Sequence, residues 1–248
     1  MKSALVTGAS SGIGREFVFA LAKNVDLIYV VARRAERLQE LQQQVEVPCV
    51  PLCFDLSLPS SIEKLGEKLK NDGADLSVLV NCAGFAKLGP FGQAGNLAMI
   101  DLNVRALVAV TELAVPFMHE GASIVQVAST AAFQPLPGMN VYAASKVFVL
   151  SYARALSREL AERGICVTAL CPGWTKTEFL DIAQQGADKN TVHKMPFMTT
   201  PEFVVKCAMR AIKKRRGLCV PGLLNKAHFF FSKIIPSGTI MDIWELMR

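Results

Sequence analysis

Three side chains able to run acid/base chemistry on a carbonyl stand close together in this chain: the Ser129 hydroxyl, the Tyr142 phenol thirteen positions later, and the Lys146 amine. The surrounding pattern predicts a helix over 142–164. The four-residue step from Tyr142 to Lys146 then sets both side chains on one face, one turn apart. A tyrosine titrates near pH 10 when unperturbed, at about the value that makes it a poor base in neutral water. A neighbouring ammonium favours the phenolate, so the expectation is a lowered phenol pKa and a Tyr142 that exchanges a proton with an alcohol or ketone oxygen. Taken singly, each residue also has a plain reading: Ser129 as a strand end, Tyr142 as a packed aromatic whose hydroxyl finds a partner.

A second constellation lies at the start of the chain, Thr7-Gly8-Ala9-Ser10-Ser11-Gly12-Ile13-Gly14. A glycine-rich turn between a strand and a helix lets the backbone approach a pyrophosphate and aims helix amides at its charge, which makes Gly8, Ser10, Ser11, Gly12, Ile13 and Gly14 candidates for binding a dinucleotide. At the end of the next strand an NAD site would present an acid to the ribose hydroxyls, and here the sequence reads Val31-Ala32-Arg33-Arg34. A guanidinium suits a 2′-phosphate, so NADP(H) is expected over NAD(H), with Arg33 the primary candidate and Arg34 the reserve. Asp55 and Leu56 can meet the adenine, or Asp55 can serve a turn. Asn81-Cys82-Ala83-Gly84 ends a further strand, where the small residues let Asn81, Ala83 and Gly84 pass close to a ribose, or simply make a turn.

These residues need a scaffold, and the chain supplies an alternation of short β-type runs with helical patterns, the signature of a parallel sheet wrapped by helices. Strands are expected over 4–7, 27–32, 49–53, 78–81, 123–128, 166–170 and 218–220. Helices are expected over 13–23, 34–45, 60–71, 96–118, 141–163 and 201–216, with a break at Pro116 allowed for. The fold class is therefore α/β, doubly wound, with a seven-stranded parallel sheet flanked by helices on both faces. Residues 1–248 are read as a single domain with two irregular segments. One, at about 174–198, carries Trp174, Phe179, Met195, Phe197 and Met198 and looks like a substrate loop. The other, a C-terminal extension at about 222–248, holds Phe229-Phe230-Phe231 and Ile234-Ile235. It is interrupted by Lys226, His228, Lys233 and Pro236, so it does not span a bilayer as one helix. Packing over the sheet edge or at a subunit interface is favoured there over contact with a membrane surface.

Composition narrows the classes. Apolar residues make up 51% of the 248, enough for a large core in one α/β domain. The 7 cysteines sit mostly in apolar runs without CxxC spacing, which argues against a disulfide framework or zinc site and for reduced thiols in a cytoplasm. The three histidines, His119, His193 and His228, share no ligand spacing, and no metal is assigned. Residues 2–7 run straight into the glycine turn without a signal-peptide pattern, so a cytoplasmic protein is expected. The net charge of +6 is moderate and much of it falls in Arg33-Arg34 and Lys213-Lys214-Arg215-Arg216 rather than along one stripe, so no nucleic-acid partner is expected. The second run suits the negative end of a helix dipole, with Gly217 ending that helix.

In order, the Thr7-Gly8-x-x-x-Gly12-x-Gly14 turn, Asn81-Cys82-Ala83-Gly84, Asn103 within Asp101-Leu102-Asn103-Val104, Ser129, Tyr142-x-x-x-Lys146, and Pro172-Gly173 with Thr177 resemble, over essentially the whole chain, the classical short-chain dehydrogenase/reductase family. The Asn-Cys-Ala-Gly-Phe-Ala run and the Val220-Pro221-Gly222-x-x-Asn225-Lys226 tail look like its DltE-like bacterial branch. The resemblance implies a Rossmann-type fold and a catalytic tetrad of Asn103, Ser129, Tyr142 and Lys146. Tyr142 would protonate the substrate oxygen, Ser129 orient it, and Lys146 hold the nicotinamide ribose, while Asn103, in a local helix kink, fixes a water that resupplies the proton. Pro172 and Gly173 would start the nicotinamide-side loop, with Thr175 and Thr177 on it and Thr177 at the carboxamide. It also implies a homodimer or homotetramer formed through 96–118 and 141–163. Cys82 departs from the family's usual second Asn, which removes a supporting contact rather than the chemistry. Phe85, Phe133, Leu136, Met139, Trp174, Phe179 and 195–198 lie where such sheets bind ligands and point to an apolar ketone, aldehyde or secondary alcohol, hydroxysteroid or 3-oxoacyl in type. A non-catalytic NADP-binding regulator is the alternative. It would be expected to have lost Tyr142 or Lys146.

Overall fold

The computed structural model describes residues 1–89, 92, 96–185 and 197–247. Its strands are β1 (Lys2–Thr7), β2 (Leu27–Ala32), β3 (Cys49–Cys53), β4 (Asp75–Asn81), β5 (Met118–Val127), β6 (Cys166–Leu170) and β7 (Leu218–Cys219). They form one parallel sheet in the order β3-β2-β1-β4-β5-β6-β7. The chain winds outward from β1 to β3, then returns to start again at β4 on the other side of β1. The strand order thus reverses between β1 and β4, and in such sheets ligands bind in the crevice that opens there at the carboxyl ends.

Parallel strands covered on both faces are apolar nearly throughout, and successive residues serve opposite sides. Ala4 and Val6 of β1 pack with Phe17, Val18 and Leu21 of α1 (Gly12–Leu21), Leu38 and Leu41 of α2 (Ala35–Gln44), and Val204, Val205 and Ala208 of α8 (Pro201–Lys213). Leu5 faces the other layer, with Leu65 and Leu69 of α3 (Pro59–Asn71), Val110 and Ala114 of α5 (Leu107–Ala114), and Ala153 of α6 (Asn140–Glu159). This is the doubly wound, Rossmann-type arrangement expected.

Several boundaries moved. The helix expected over 96–118 is three pieces: α4 (Asn96–Ile100), a π-helical turn over Asp101–Ala106, and α5, after which Val115–Phe117 make a 3-10 turn around Pro116. Proline has no N–H to continue the helix, so the break falls there. Strand β5 begins at Met118 rather than 123, because its pairing with β4 jumps from Leu76↔Met118 to Val78↔Ser123. Gly217 does not end α8. Arg215 takes the left-handed conformation instead, at φ 48°, while Arg216 N bonds back to Ala211 O at 3.0 Å and the Arg215 guanidinium donates to Gly164 O at 2.6 Å. The remaining elements are α7 (Glu178–Gln184), α9 (Leu223–Phe231) and α10 (Ser237–Met247).

Candidate active site

Helix α6 brings Tyr142, Ser145 and Lys146 to one buried face. Lys146 Nζ donates to Val127 O at the end of β5 at 2.8 Å and lies 5.8 Å from the centre of the Tyr142 ring. Ser129 lies two residues beyond β5 and caps the 3-10 turn Thr130–Phe133, its Oγ accepting from Ala131 N at 3.1 Å. Tyr142 and Lys146 are 7% and 6% exposed, and this burial decides their titration. Loss of hydration pushes Tyr142 up to about 12, against a smaller downward pull from the Ser129 hydroxyl, and pushes Lys146 down to about 8. The expected lowering of the phenol by the ammonium is therefore not found in the protein alone. Lys146 Nζ donates to Val127 O, and burial dominates the titration of the phenol.

Asn103 sits in the π-helical turn and is fully buried. Its Nδ2 donates to Phe85 O at 2.9 Å and to Ser145 Oγ at 3.2 Å, and its Oδ1 accepts from Phe85 N at 3.0 Å. It thereby clamps the segment that leaves β4 against α6. Gly84 fits between them, since a Cβ there would lie 2.9 Å from Asn103 Oδ1.

At the other end of the crevice, Gly8 turns at φ 67°, and a Cβ on it would stand 2.8 Å from Ala83 N, so β1 and β4 approach closely only through a glycine. Thr7 fixes that approach, its Oγ1 accepting from Cys82 N at 3.0 Å and Ala83 N at 3.1 Å. The N-terminus of α1 carries no side-chain cap from Ser11 and no acid in its first turn, leaving its amides and dipole open to an anion. Above it lies the Arg34 guanidinium, which donates to Ser10 Oγ at 2.9 Å, to Ser11 Oγ at 2.8 Å and to Glu178 Oε2 at 2.8 Å. Arg37 holds the other oxygen of Glu178 at 2.5 Å. The reserve arginine is thus the one that reaches the turn, while Arg33 is exposed at the cavity rim beside Asp55.

One cavity of about 820 Å³ joins these ends, lined at the turn by Gly8, Ser10, Ser11, Gly12 and Ile13 and beside α6 by Ser129, Tyr142 and Lys146. Arg33, Arg34, Asp55, Leu56, Ala83, Gly84, Pro172, Gly173, Thr175 and Thr177 border it between. An open helix N-terminus with hydroxyls and guanidinium at one end fits a phosphorylated dinucleotide, and these donors are the ones that would hold it.

Residues 2–187 match the family model described as short chain dehydrogenase. The chain belongs to the short chain dehydrogenase family. Among its relatives are an NADP-dependent 3-hydroxy acid dehydrogenase of Schizosaccharomyces pombe, 30% identical and covering 90% of this chain and 91% of that one, and sulfoacetaldehyde reductase 2 of Chromohalobacter salexigens, 35% identical over 79% and 81%. A solved short-chain dehydrogenase from Sphingobium yanoikuyae in complex with NADPH superposes with a TM-score of 0.78 at 29% identity, covering 95% of this chain and 97% of that one.

Within this short chain dehydrogenase, three expected site residues serve elsewhere. Asn81 does not line the cavity; its amide is buried and donates to Thr111 Oγ1 at 2.9 Å and Gln126 Oε1 at 3.1 Å, tying β4 to α5 and β5. Gly14 is likewise a packing residue, since a Cβ there would fall 2.2 Å from Gly8 O. Phe133 turns away from the cavity and packs on Phe229 at 4.9 Å between ring centres. Asp55 lines the cavity but also accepts from Ser57 N at 2.9 Å and Ser57 Oγ at 2.7 Å. Burial raises its pKa, while those bonds and Arg33 bring it to below the ordinary value.

The apolar end contains the expected Phe85, Leu136, Met139, Trp174, Phe179 and Phe197. Met195 and His193 lie outside the described residues. The C-terminal extension also contributes there, through Leu224, His228, Phe231, Ile240, Ile243 and Trp244, rather than packing only at an edge. Alternation and motif spacing carry no signal for that closure, nor for Glu178, whose partners Arg34 and Arg37 stand 144 and 141 residues away. Among the described residues no helix is long and apolar enough to cross a membrane.

Proposed function

We propose that this protein is an NADP(H)-dependent oxidoreductase interconverting an apolar ketone or aldehyde and its alcohol, with hydroxysteroid and 3-oxoacyl compounds as the candidate substrate classes. The observation that carries this reading is the single cavity with Ser10, Ser11 and Arg34 at one end, Ser129, Tyr142 and Lys146 in its wall, and aromatic and aliphatic side chains at the other end. The similarity to an NADP-dependent dehydrogenase and to a structure holding NADPH supports the same cofactor preference. When bound, the dinucleotide supplies or accepts the hydride.

The protein's own groups do the rest. Tyr142, protonated across the neutral range, gives its proton to the carbonyl oxygen, which suits the reductive direction. Ser129 donates a hydrogen bond to that oxygen. Lys146 holds the ribose and, with a water seated at Asn103, returns the proton. Arg34 leads in holding the 2′-phosphate, with Ser10 and Arg33 beside it. Asp55 and Leu56 meet the adenine, Ala83 and Gly84 its ribose, and Thr177 the carboxamide. Of the expected substrate loop at about 174–198, residues 186–196 lie outside the described residues; Trp174, Phe179 and Phe197 meet the substrate, with Phe179 packed 5.7 Å from the Tyr142 ring. The exposed Val147 and Phe148 on α6 support a homodimer or homotetramer through that helix and α5. Seven free cysteines support a cytoplasmic setting, and the tail motif supports the DltE-like branch.

The test is oxidation of NADPH, with NADH in parallel, against steroid, acyl and small aromatic ketones. Tyr142→Phe is expected to lower kcat by about a thousandfold while leaving the NADPH dissociation constant within about twofold. Retained turnover in that variant removes Tyr142 from the chemistry. Arg34→Ala is expected to raise the NADPH dissociation constant about tenfold and leave that of NADH nearly unchanged. Equal effects on the two cofactors would refute the 2′-phosphate assignment.

A further inference from the structure

Two polar side chains that the reaction scheme does not use meet in the apolar end of the cavity. Gln134 closes the 3-10 turn that Ser129 opens, and His228 reaches over from α9. His228 Nε2 lies 2.6 Å from Gln134 Oε1, and both residues line the cavity. Phe133 packs edge-on against the imidazole at 5.4 Å and holds it in place.

An imidazole N–H donating to Oε1 leaves the Gln134 amide NH2 as a donor and His228 Nδ1 as an acceptor. Among the described residues neither group has a hydrogen-bond partner, and no buried side-chain polar atom lacks one, so both are solvent-accessible, on residues that line the cavity. Burial keeps His228 below the ordinary histidine value. At neutral pH the pair therefore offers a donor and an acceptor without charge.

We propose that the Gln134–His228 pair is a second substrate-recognition site, which takes an uncharged oxygen function, a hydroxyl or carbonyl, carried on the apolar skeleton away from the reacting carbonyl. This rests on the reductase reading above and narrows its substrate class. A site built to hydrogen-bond a substrate oxygen rejects the analogue lacking it, because the protein groups are then dehydrated without a partner. The neutral pair gives no such advantage to a carboxylate.

The test uses three matched probes: 4-cyclohexylcyclohexanone, its 4′-hydroxy derivative and its 4′-carboxy derivative. Binding to the NADP⁺-loaded protein is read by calorimetry and turnover by NADPH oxidation. The hydroxylated ketone is expected to be favoured about tenfold over the plain one in both dissociation constant and kcat/KM. Gln134→Leu and His228→Phe should each bring that ratio near one while keeping the plain ketone within about twofold of the wild-type value. A wild-type ratio near one, or variants that weaken all three probes alike, overturns the proposal. So does a preference for the carboxylate that disappears in Lys87→Met, since Lys87 also lines the cavity and has no ion-pair partner among the described residues. A hydroxyl preference in calorimetry with no turnover of any probe leaves this site standing and the reductase reading defeated.

Discussion

Burial acts against the charged forms of Tyr142 and Lys146 alike, and the two shifts have opposite consequences for stability. Between about pH 8 and its ordinary 10.5, Lys146 has lost its proton in the folded protein but keeps it in the unfolded chain. The unfolded state then binds more protons, so this residue's cost to stability is greatest below pH 8 and fades as pH rises towards 10.5. Tyr142 runs the other way. It holds its proton from 10 up to about 12 when folded, and the stability this contributes is lost only as pH climbs through that range. Lys146→Met is therefore expected to stabilise the cofactor-free protein at pH 7 by on the order of 3 kcal/mol, with the advantage shrinking towards pH 10. Urea unfolding of both proteins across that range measures it. A constant difference would mean that Lys146 is not desolvated as described. That Tyr142 and Lys146 share one buried helix face was legible from sequence, because one helix sets their spacing. The shifts were not, since they depend on how deeply other elements cover α6.

Elements are joined near the site by a buried polar knot. Asn81 on β4, Gln126 on β5 and Thr111 on α5 bond mutually, with Gln126 Nε2 to Thr111 Oγ1 at 2.9 Å and the Thr111 hydroxyl closing onto Leu107 O at 2.7 Å. Truncating one member strands the others in a low-dielectric layer. Asn81→Ala is expected to cost about 1–3 kcal/mol in denaturant unfolding while leaving NADPH affinity unchanged. A selective loss of NADPH affinity at intact stability would return Asn81 to the cofactor site. Sequence order placed Asn81 at the strand end correctly. It could not say to which face the amide turns, because that depends on β5 and α5 arriving beside it. The π-helical turn has the same character: a kink at Asn103 was expected, and its clamp on Phe85 and Ser145 appears only once α6 is in place.

For the whole molecule, the decisive closure is that of the cavity's apolar end, the proposed substrate end, by the C-terminal extension. Most of α10 is exposed, with Leu246 at 87%, yet Trp244 is buried at 6% in the cluster of Leu88, Met99, Leu136 and Met139 and donates through Nε1 to Pro137 O at 2.9 Å. One side chain thus anchors a peripheral helix over the cavity, joining positions 107 residues apart that no local pattern relates. Removing it forfeits roughly 3–5 kcal/mol of local packing, more than a terminal helix of this exposure can hold by itself. Because the sheet and its two core layers do not depend on α10, that loss releases the helix rather than unfolding the protein. Trp244→Ala is accordingly expected to raise KM for apolar ketones by about tenfold with the NADPH dissociation constant and the main unfolding transition nearly unchanged, whereas Leu246→Ala changes none of them. Steady-state kinetics beside calorimetric unfolding distinguishes the outcomes: an unaltered KM would mean that α10 does not close the substrate end, and a collapse of the main transition would make it part of the core.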